Sequence, residues 1–198
     1  MTDSINEVLP VALVLADCEC LVVGAGAELD GRVADLLAAR ARVTVVSSAP
    51  SEAVRAHAQS GRVTLHERAF EDRDLHDKWL AVLTEQDPLL AARIADLARR
   101  QHVFFCAVDQ PAHSRYYHMA RARAGLLTIA VSTAGQAPAL GRRLREELSR
   151  LLAESGAAAF VNELVELRRR TPSPERRDVL GRAVAGVRLT GELLLKGE

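Results

Sequence analysis

The sequence predicts an α/β fold, a doubly wound parallel sheet, and three observations predict it. First, Glu19 to Ser47 has the outline of a βαβ unit: an apolar run (Cys20–Val23), a glycine turn (Gly24, Gly26), an amphipathic stretch with Val33, Leu36 and Leu37 on one face, and a β-branched run (Val43–Val46). Second, short apolar runs and amphipathic stretches go on alternating as far as Val108, the pattern of parallel strands with helices on both faces. Third, the pattern changes after Pro111 and becomes largely helical from Ala139 onward.

Each element follows from its residues. Leu9-Pro10-Val11 reads as an extended lead-in. After the βαβ unit, Ser51 to Ser60 is a short helix ended by Gly61, and Arg62 to His66 is a third strand. Phe70 to Lys78 is charged and irregular, and Trp79 to Leu83 is a buried strand followed by Thr84-Glu85-Gln86. Asp87-Pro88 starts a helix, with a capping acid before a proline whose missing N–H costs nothing at the first helical position. Leu90, Ile94 and Leu97 form its core stripe, Arg99-Arg100 end it, and Val103 to Val108 is the next strand. Residues 112–124 are polar and aromatic, Leu126 to Val131 is a strand, and Ser132 to Pro138 is a small-residue loop. Helices then run over Ala139–Leu152, Ala158–Arg170 and Glu175–Leu195, broken by Gly156 and by Thr171-Pro172-Ser173-Pro174.

The glycine turn carries the first chemical expectation. Gly24 lets the chain leave the strand tightly, and Gly26 lets backbone approach a pyrophosphate with no Cβ in the way. The helix that starts there offers free N–H groups and the positive end of its dipole to an anion. Leu29 stands where a dinucleotide fingerprint has a third small residue, so it is expected to push the helix off the strand or crowd the cofactor. The acid expected about 20 positions on is missing, since Val46, Ser47 and Ser48 stand there. Ser47 can bond a ribose or a 2′-phosphate instead.

Composition narrows the function classes. The formal net charge is zero, which argues against general nucleic-acid affinity. Residues 1–120 hold 12 basic and 17 acidic side chains and residues 121–198 hold 14 and 9, so the second part is the one that suits an anionic small molecule, unless the surplus only laces exposed helix faces with ion pairs. Cys18, Cys20 and Cys106 form no paired framework and no zinc spacing, so buried thiols in a reducing cytoplasm are expected. No apolar run approaches a membrane span, and no signal region is evident.

Two places concentrate polar chemistry. Asp109 lies at the carboxyl end of a strand, where ligands of open α/β sheets sit; it can move a proton or orient a substrate, or it can be a turn residue before Pro111. Ser132-Thr133-Ala134-Gly135 precede a helix with Arg142, Arg143 and Arg145 in its first turns, an arrangement that holds carboxylates or phosphates, or an ordinary capped helix with solvated arginines. His113 and His118 are five apart, so they do not share a helical face, and no metal site is expected of them.

Taken in order, LPVAL, VVGAGAELDGRVADLL, VTVVS, WLAVLTEQD, AVDQP and LLTIAVSTAGQAPALGRRLREEL resemble the precorrin-2 dehydrogenase/sirohydrochlorin ferrochelatase family, the N-terminal module of siroheme synthases. The resemblance spans about residues 8–152, and AVDQP and STAGQAPALGRRLRE are its most specific pieces. It implies a homodimer with a Rossmann-like dinucleotide-binding domain (1–112), a dimerisation region (113–152) and a helical C-terminal domain (153–198). It implies NAD-dependent oxidation of precorrin-2 to sirohydrochlorin, with Fe²⁺ insertion by some members. The family's aspartate falls on Asp109 and its loop hydroxyl on Ser132 or Thr133. The cofactor set falls on Gly24, Ala25, Gly26, Ala27 and Glu28, with Ser47 and Thr84 at the ends of neighbouring strands. Gly135, Arg142, Arg143 and Arg145 then face the substrate's carboxylates. The chain departs from the family pattern at Ala25, Glu28, Cys106, Ala134 and Ala137, with Glu28 placing a negative charge near the pyrophosphate. The alternative reading is a tetrapyrrole-binding or chelatase-only homologue without NAD turnover.

Overall fold

The computed structural model describes residues 8–190, and the chain divides into two compact units between His118 and Met119. In the first unit, β1 (Glu19–Val23), β2 (Arg42–Val46), β3 (Val63–His66), β4 (Leu80–Leu83) and β5 (Phe104–Ala107) form one sheet in the order β3-β2-β1-β4-β5, every pair parallel. Alternation sends Cys20 and Val22 to one face and Leu21 and Val23 to the other, and all four are buried. Burial on both sides is why these strands read as continuous apolar runs rather than alternating ones.

Helices α1 (Gly26–Ala38) and α2 (Glu52–Gln59) lie on the first face, where Leu29, Val33, Leu36 and Val54 meet Cys20, Val22, Val43, Val45 and Val82. On the second face α3 (Pro88–Gln101) sets Ala91, Ile94 and Ala98 against Leu21, Ala81, Leu83 and Phe105. The expected cap at Asp87 is in place, and Ser51, read only as the start of its helix, caps α2 as well. Asp87 Oδ1 accepts from Leu89 N and Leu90 N, and Ser51 Oγ accepts from Val54 N.

Several details differ from expectation. The core stripe of α3 runs through Ala91, Ile94 and Ala98, with Leu90 and Leu97 on its margin. Trp79 is 64% exposed, because its backbone only leads into β4 and its side chain lies outside the sheet core. The irregular stretch holds a 3-10 turn, Asp72–Leu75, anchored by buried Phe70 and Leu75.

In the second unit, β6 (Ala120–Ala124) and β7 (Leu127–Val131) form an antiparallel hairpin around Gly125. Strand β6 falls in the stretch read only as polar and aromatic. Its ARARA alternation points Ala122 and Ala124 inward and Arg121 and Arg123 outward, without the β-branched residues that mark a strand. Helices α4 (Pro138–Glu154), α5 (Ala157–Arg170) and α6 (Arg176–Val184) follow. The last helix ends at Val184 instead of continuing to Leu195, whose final residues lie outside the described ones; Gly181 and Gly186 supply weak helix propensity there. Among the described residues the unit's buried apolar residues are Ala122, Ala124 and Leu152.

Candidate functional site

The carboxyl edge of the sheet gathers four strand ends. Gly24 N donates to Val46 O at 3.1 Å, Thr84 N to Val23 O at 2.9 Å, Ser47 N to His66 O at 3.1 Å and Val108 N to Leu83 O at 2.9 Å, so each ladder runs one residue past its strand. Gly24 has φ +132°, and a Cβ on it would come within 2.2 Å of Thr84 Oγ1 and 3.2 Å of Glu85 N. Glycine is therefore required here by the end of β4, while Thr84 Oγ1 is occupied in donating to Val23 O at 3.3 Å.

Gly26 is different. It has φ +77°, and a Cβ there would meet nothing within 4 Å, so open space lies over the turn. Ala25 caps α1 without any side-chain hydrogen bond, which leaves the helix's first N–H groups for an anion. Open space over glycine backbone and an uncapped helix start are what a pyrophosphate needs. Leu29 does not line this space: it is fully buried between α1 and the sheet. Glu28 is ion-paired with Arg32 one turn on, which offsets its charge near the turn. Ala27 is exposed beside it, and Ser47 is enclosed, with its hydroxyl accepting from Ala49 N at 3.3 Å.

Asp109 stands exposed on a left-handed turn (φ 57°) just after β5. The turn is clamped from three sides. Ser114 Oγ accepts from Ala107 N at 3.0 Å, with Ala107 O at 3.1 Å and Gln110 O at 3.2 Å in reach of its proton. Gln86 Nε2 donates to Val108 O at 3.0 Å, and Gln110 Nε2 donates to Glu85 O at 2.9 Å. These bonds join the turn carrying Asp109 to the residues that pack on Gly24. Sequence reading missed Gln86, Gln110 and Ser114, whose only signal was polar residues flanking Pro111 and following Thr84.

Beneath the edge, burial pushes the Cys106 thiol up, against the opposing hydrogen bond from Ser114. Burial also pushes the Tyr116 phenol well above its ordinary value, and Cys106 adds to the effect. Tyr116 Oη lies 3.3 Å from His118 Nε2, the rings meeting edge to face.

In the second unit Ser132 Oγ accepts from Ala134 N at 3.2 Å, and Thr133 Oγ1 accepts from Ala137 N at 3.2 Å. Both hydroxyls shape the loop and each keeps a proton to donate. Gly135 (φ +77°) has open space where a Cβ would be. Arg142 and Arg145 reach Glu146 at 3.1 and 3.2 Å, and Arg143 pairs with Glu147; the three arginines are 77, 43 and 67% exposed in that order. The arginine hydrogen bonds hold the Glu146 carboxyl below its usual range.

Comparison with known proteins bears on this arrangement. A family model described as "Putative NAD(P)-binding" matches residues 11–120, and one described as "Sirohaem biosynthesis protein central" matches residues 125–151. The chain belongs to this putative NAD(P)-binding family. Siroheme synthase of Escherichia coli (strain K12 / DH10B) is 35% identical over 144 residues, covering 73% of this chain and 32% of that protein. Siroheme synthase of Shigella boydii serotype 18 matches to the same extent, with 35% identity over 73% of this chain. The chain thus spans about a third (32%) of the length of these curated relatives. Among solved structures, a protein titled SirC, precorrin-2 dehydrogenase has the same fold, with a TM-score of 0.73 and 20% identity over 89% of each chain. The family resemblance read from the sequence is therefore borne out, and so is the Rossmann-like sheet followed by a helical region. Among the described residues no helix is long and apolar enough to cross a membrane.

Proposed function

We propose that the chain oxidises precorrin-2 to sirohydrochlorin in siroheme biosynthesis, with NAD⁺ as the acceptor. The observation that carries the reading is the open space over Gly26 beside the uncapped start of α1, on the same strand edge as Asp109. Bound NAD⁺ would supply hydride acceptance. The residues Gly24 to Glu28 would hold its pyrophosphate, with the amides at the start of α1 as donors and Arg32 neutralising Glu28. Thr84 packs the turn from β4, and Ser47 closes the end of β2. Asp109, held out on its clamped turn, takes up at its carboxylate the proton lost as the ring system gains conjugation. On the second unit we assign Ser132 and Thr133 to hydroxyl contacts with the substrate, and Gly135, Arg142, Arg143 and Arg145 to its carboxylates. The protein works in the cytoplasm as a homodimer, with residues 113–152 as the dimerisation region between a dinucleotide-binding domain (1–112) and a helical domain (153–198).

Titration calorimetry with NAD⁺ and NADP⁺, followed by a precorrin-2 oxidation assay, tests this reading. NAD⁺ is expected to bind saturably to both the wild type and Asp109→Ala, while the variant loses oxidation by about 10²-fold or more, the usual worth of a positioned acid or base. Full turnover in Asp109→Ala removes that carboxylate from the mechanism. Tetrapyrrole binding with no NAD⁺ or NADP⁺ binding replaces the reading with a tetrapyrrole-binding one.

A further inference from the structure

A polar cleft lies on the other side of the sheet from α1. Thr44 lines it from the middle of β2, on the face shared with Leu21, Val46 and α3. The cleft exists because the link from β3 to β4, where a parallel crossover ordinarily carries a helix, holds only the 3-10 turn Asp72–Leu75. It encloses about 340 Å³, and its walls are His66, Arg68, Arg73, Asp74, His76 and Lys78 with Thr44.

The charges are arranged unevenly. Asp74 is the one carboxylate among these walls, and it is fully used: Arg68 Nη1 and Nη2 donate to it at 2.7 and 2.6 Å, and Glu71 N donates at 2.8 Å. Lys78, its side chain only 13% exposed, donates to Thr44 Oγ1 at 3.2 Å and Glu19 Oε2 at 3.3 Å, which leaves one ammonium proton. Arg73 contacts Glu71 Oε2 through Nε at 2.6 Å, and its η-nitrogens make no hydrogen bond among the described residues. Neither do the rings of His66 and His76. Glu19 and Glu71 thus stand beside the cleft, each engaged with a cation, and the donors left over line one concave wall. Arg68, Arg73 and Lys78 balance Asp74, Glu71 and Glu19, so what the cleft offers is unused N–H donors rather than an excess of charge.

We propose that this cleft binds a compact anion bearing several oxygens, a phosphate or a small polycarboxylate, at a site separate from the glycine turn and independent of the dehydrogenase reading. The anion sits against Lys78 and Arg73, takes hydrogen bonds from His66 and His76, and is oriented by the Thr44–Lys78 bond.

Calorimetric titration of the full chain with inorganic phosphate, and separately with citrate, against chloride at matched ionic strength tests the site. One saturable site for either oxyanion and none for chloride is expected; the tighter of the two assigns the source as phosphate or carboxylate. Lys78→Gln weakens binding by about tenfold, the worth of one charge-assisted hydrogen bond. Arg73→Gln/His76→Gln, both at exposed positions, does the same without risk to folding. NAD⁺ affinity stays unchanged in these variants. No saturation, or equal affinity in the wild type and both variants, overturns the proposal.

Discussion

The two units are built to different standards of self-sufficiency. The first has apolar clusters on both faces of its sheet, and its large core side chains, Phe105, Leu21, Leu29, Leu83 and Ile94 among them, are essentially inaccessible. The second buries Ala122, Ala124 and Leu152, and among the described residues α5 and α6 hold no fully buried side chain, only partly buried ones such as Ala157 and Ala158. Val165, Val184, Val187 and Leu189 stay 43, 41, 57 and 78% exposed. A unit with so small a core gains too little from apolar burial to offset the entropy of ordering its chain, so it needs cover from elsewhere. The proposed homodimer would provide it, whereas the first unit has a core of its own although Leu9, Val14, Trp79 and Leu89 stay exposed.

The largest effect should come from cutting each core in turn. Ile94→Ala is expected to cost about 3–4 kcal/mol, since α3 packs on the sheet through this side chain and the cavity cannot collapse. Leu152→Ala should cost about 2 kcal/mol, because its neighbours are alanines and partly buried side chains that can relax. Urea unfolding at two protein concentrations reads both. If a second copy covers the second unit, the transition that Leu152→Ala lowers shifts with concentration while the one that Ile94→Ala lowers does not. Equal costs and no concentration dependence would remove the contrast between the units.

How legible this was differs in the same way. The glycine turn, the Asp87-Pro88 helix start and the apolar runs of the sheet could all be read, because each rests on local backbone chemistry or on a continuous apolar run bounded by turn residues. Strand β6 could not, because alanine and arginine carry no strand preference and pairing with β7 together with packing on α4 selects it. The direction of Leu29 could not be read either, because a motif position does not say whether a side chain points at the turn or into the core. The clamps on Asp109 were invisible for a plainer reason: Gln110 reaches Glu85 across 25 positions, a pairing that exists only once β4 and β5 lie side by side.

A middling effect comes from the ion pair that closes the first unit's open sheet face. Burial alone would raise the Asp74 carboxyl, but the Arg68 guanidinium and the Glu71 N–H outweigh it and hold it below the usual range. A depressed folded value means the pair's contribution is present above the unfolded value near pH 4 and is lost as pH falls through the folded one. Asp74→Asn should therefore cost about 2 kcal/mol at neutral pH, and the difference from wild type should shrink in acid. Melting temperatures from pH 7 down to pH 3 check the sign; a gap that widens on acidification would show that Asp74 does not act through its charge.

The smallest effect separates the units most cleanly, because all three cysteines lie in the first. Cys18 is half-buried, whereas Cys20 and Cys106 are enclosed, and burial, with Cys18 and Glu19 adding to it, raises the Cys20 thiol to about 11. Thiolate is the reactive form, so in the native state a disulfide reagent should modify Cys18 first and the other two only when the sheet opens. Slow labelling of Cys20 and Cys106 is then a clock for the first unit alone. Ile94→Ala should speed that clock by orders of magnitude, in line with its cost. Leu152→Ala should leave it within about twofold, since local opening of the second unit exposes neither thiol. If Leu152→Ala speeds the clock as much as Ile94→Ala does, the two units open together and the self-sufficiency of the first is lost.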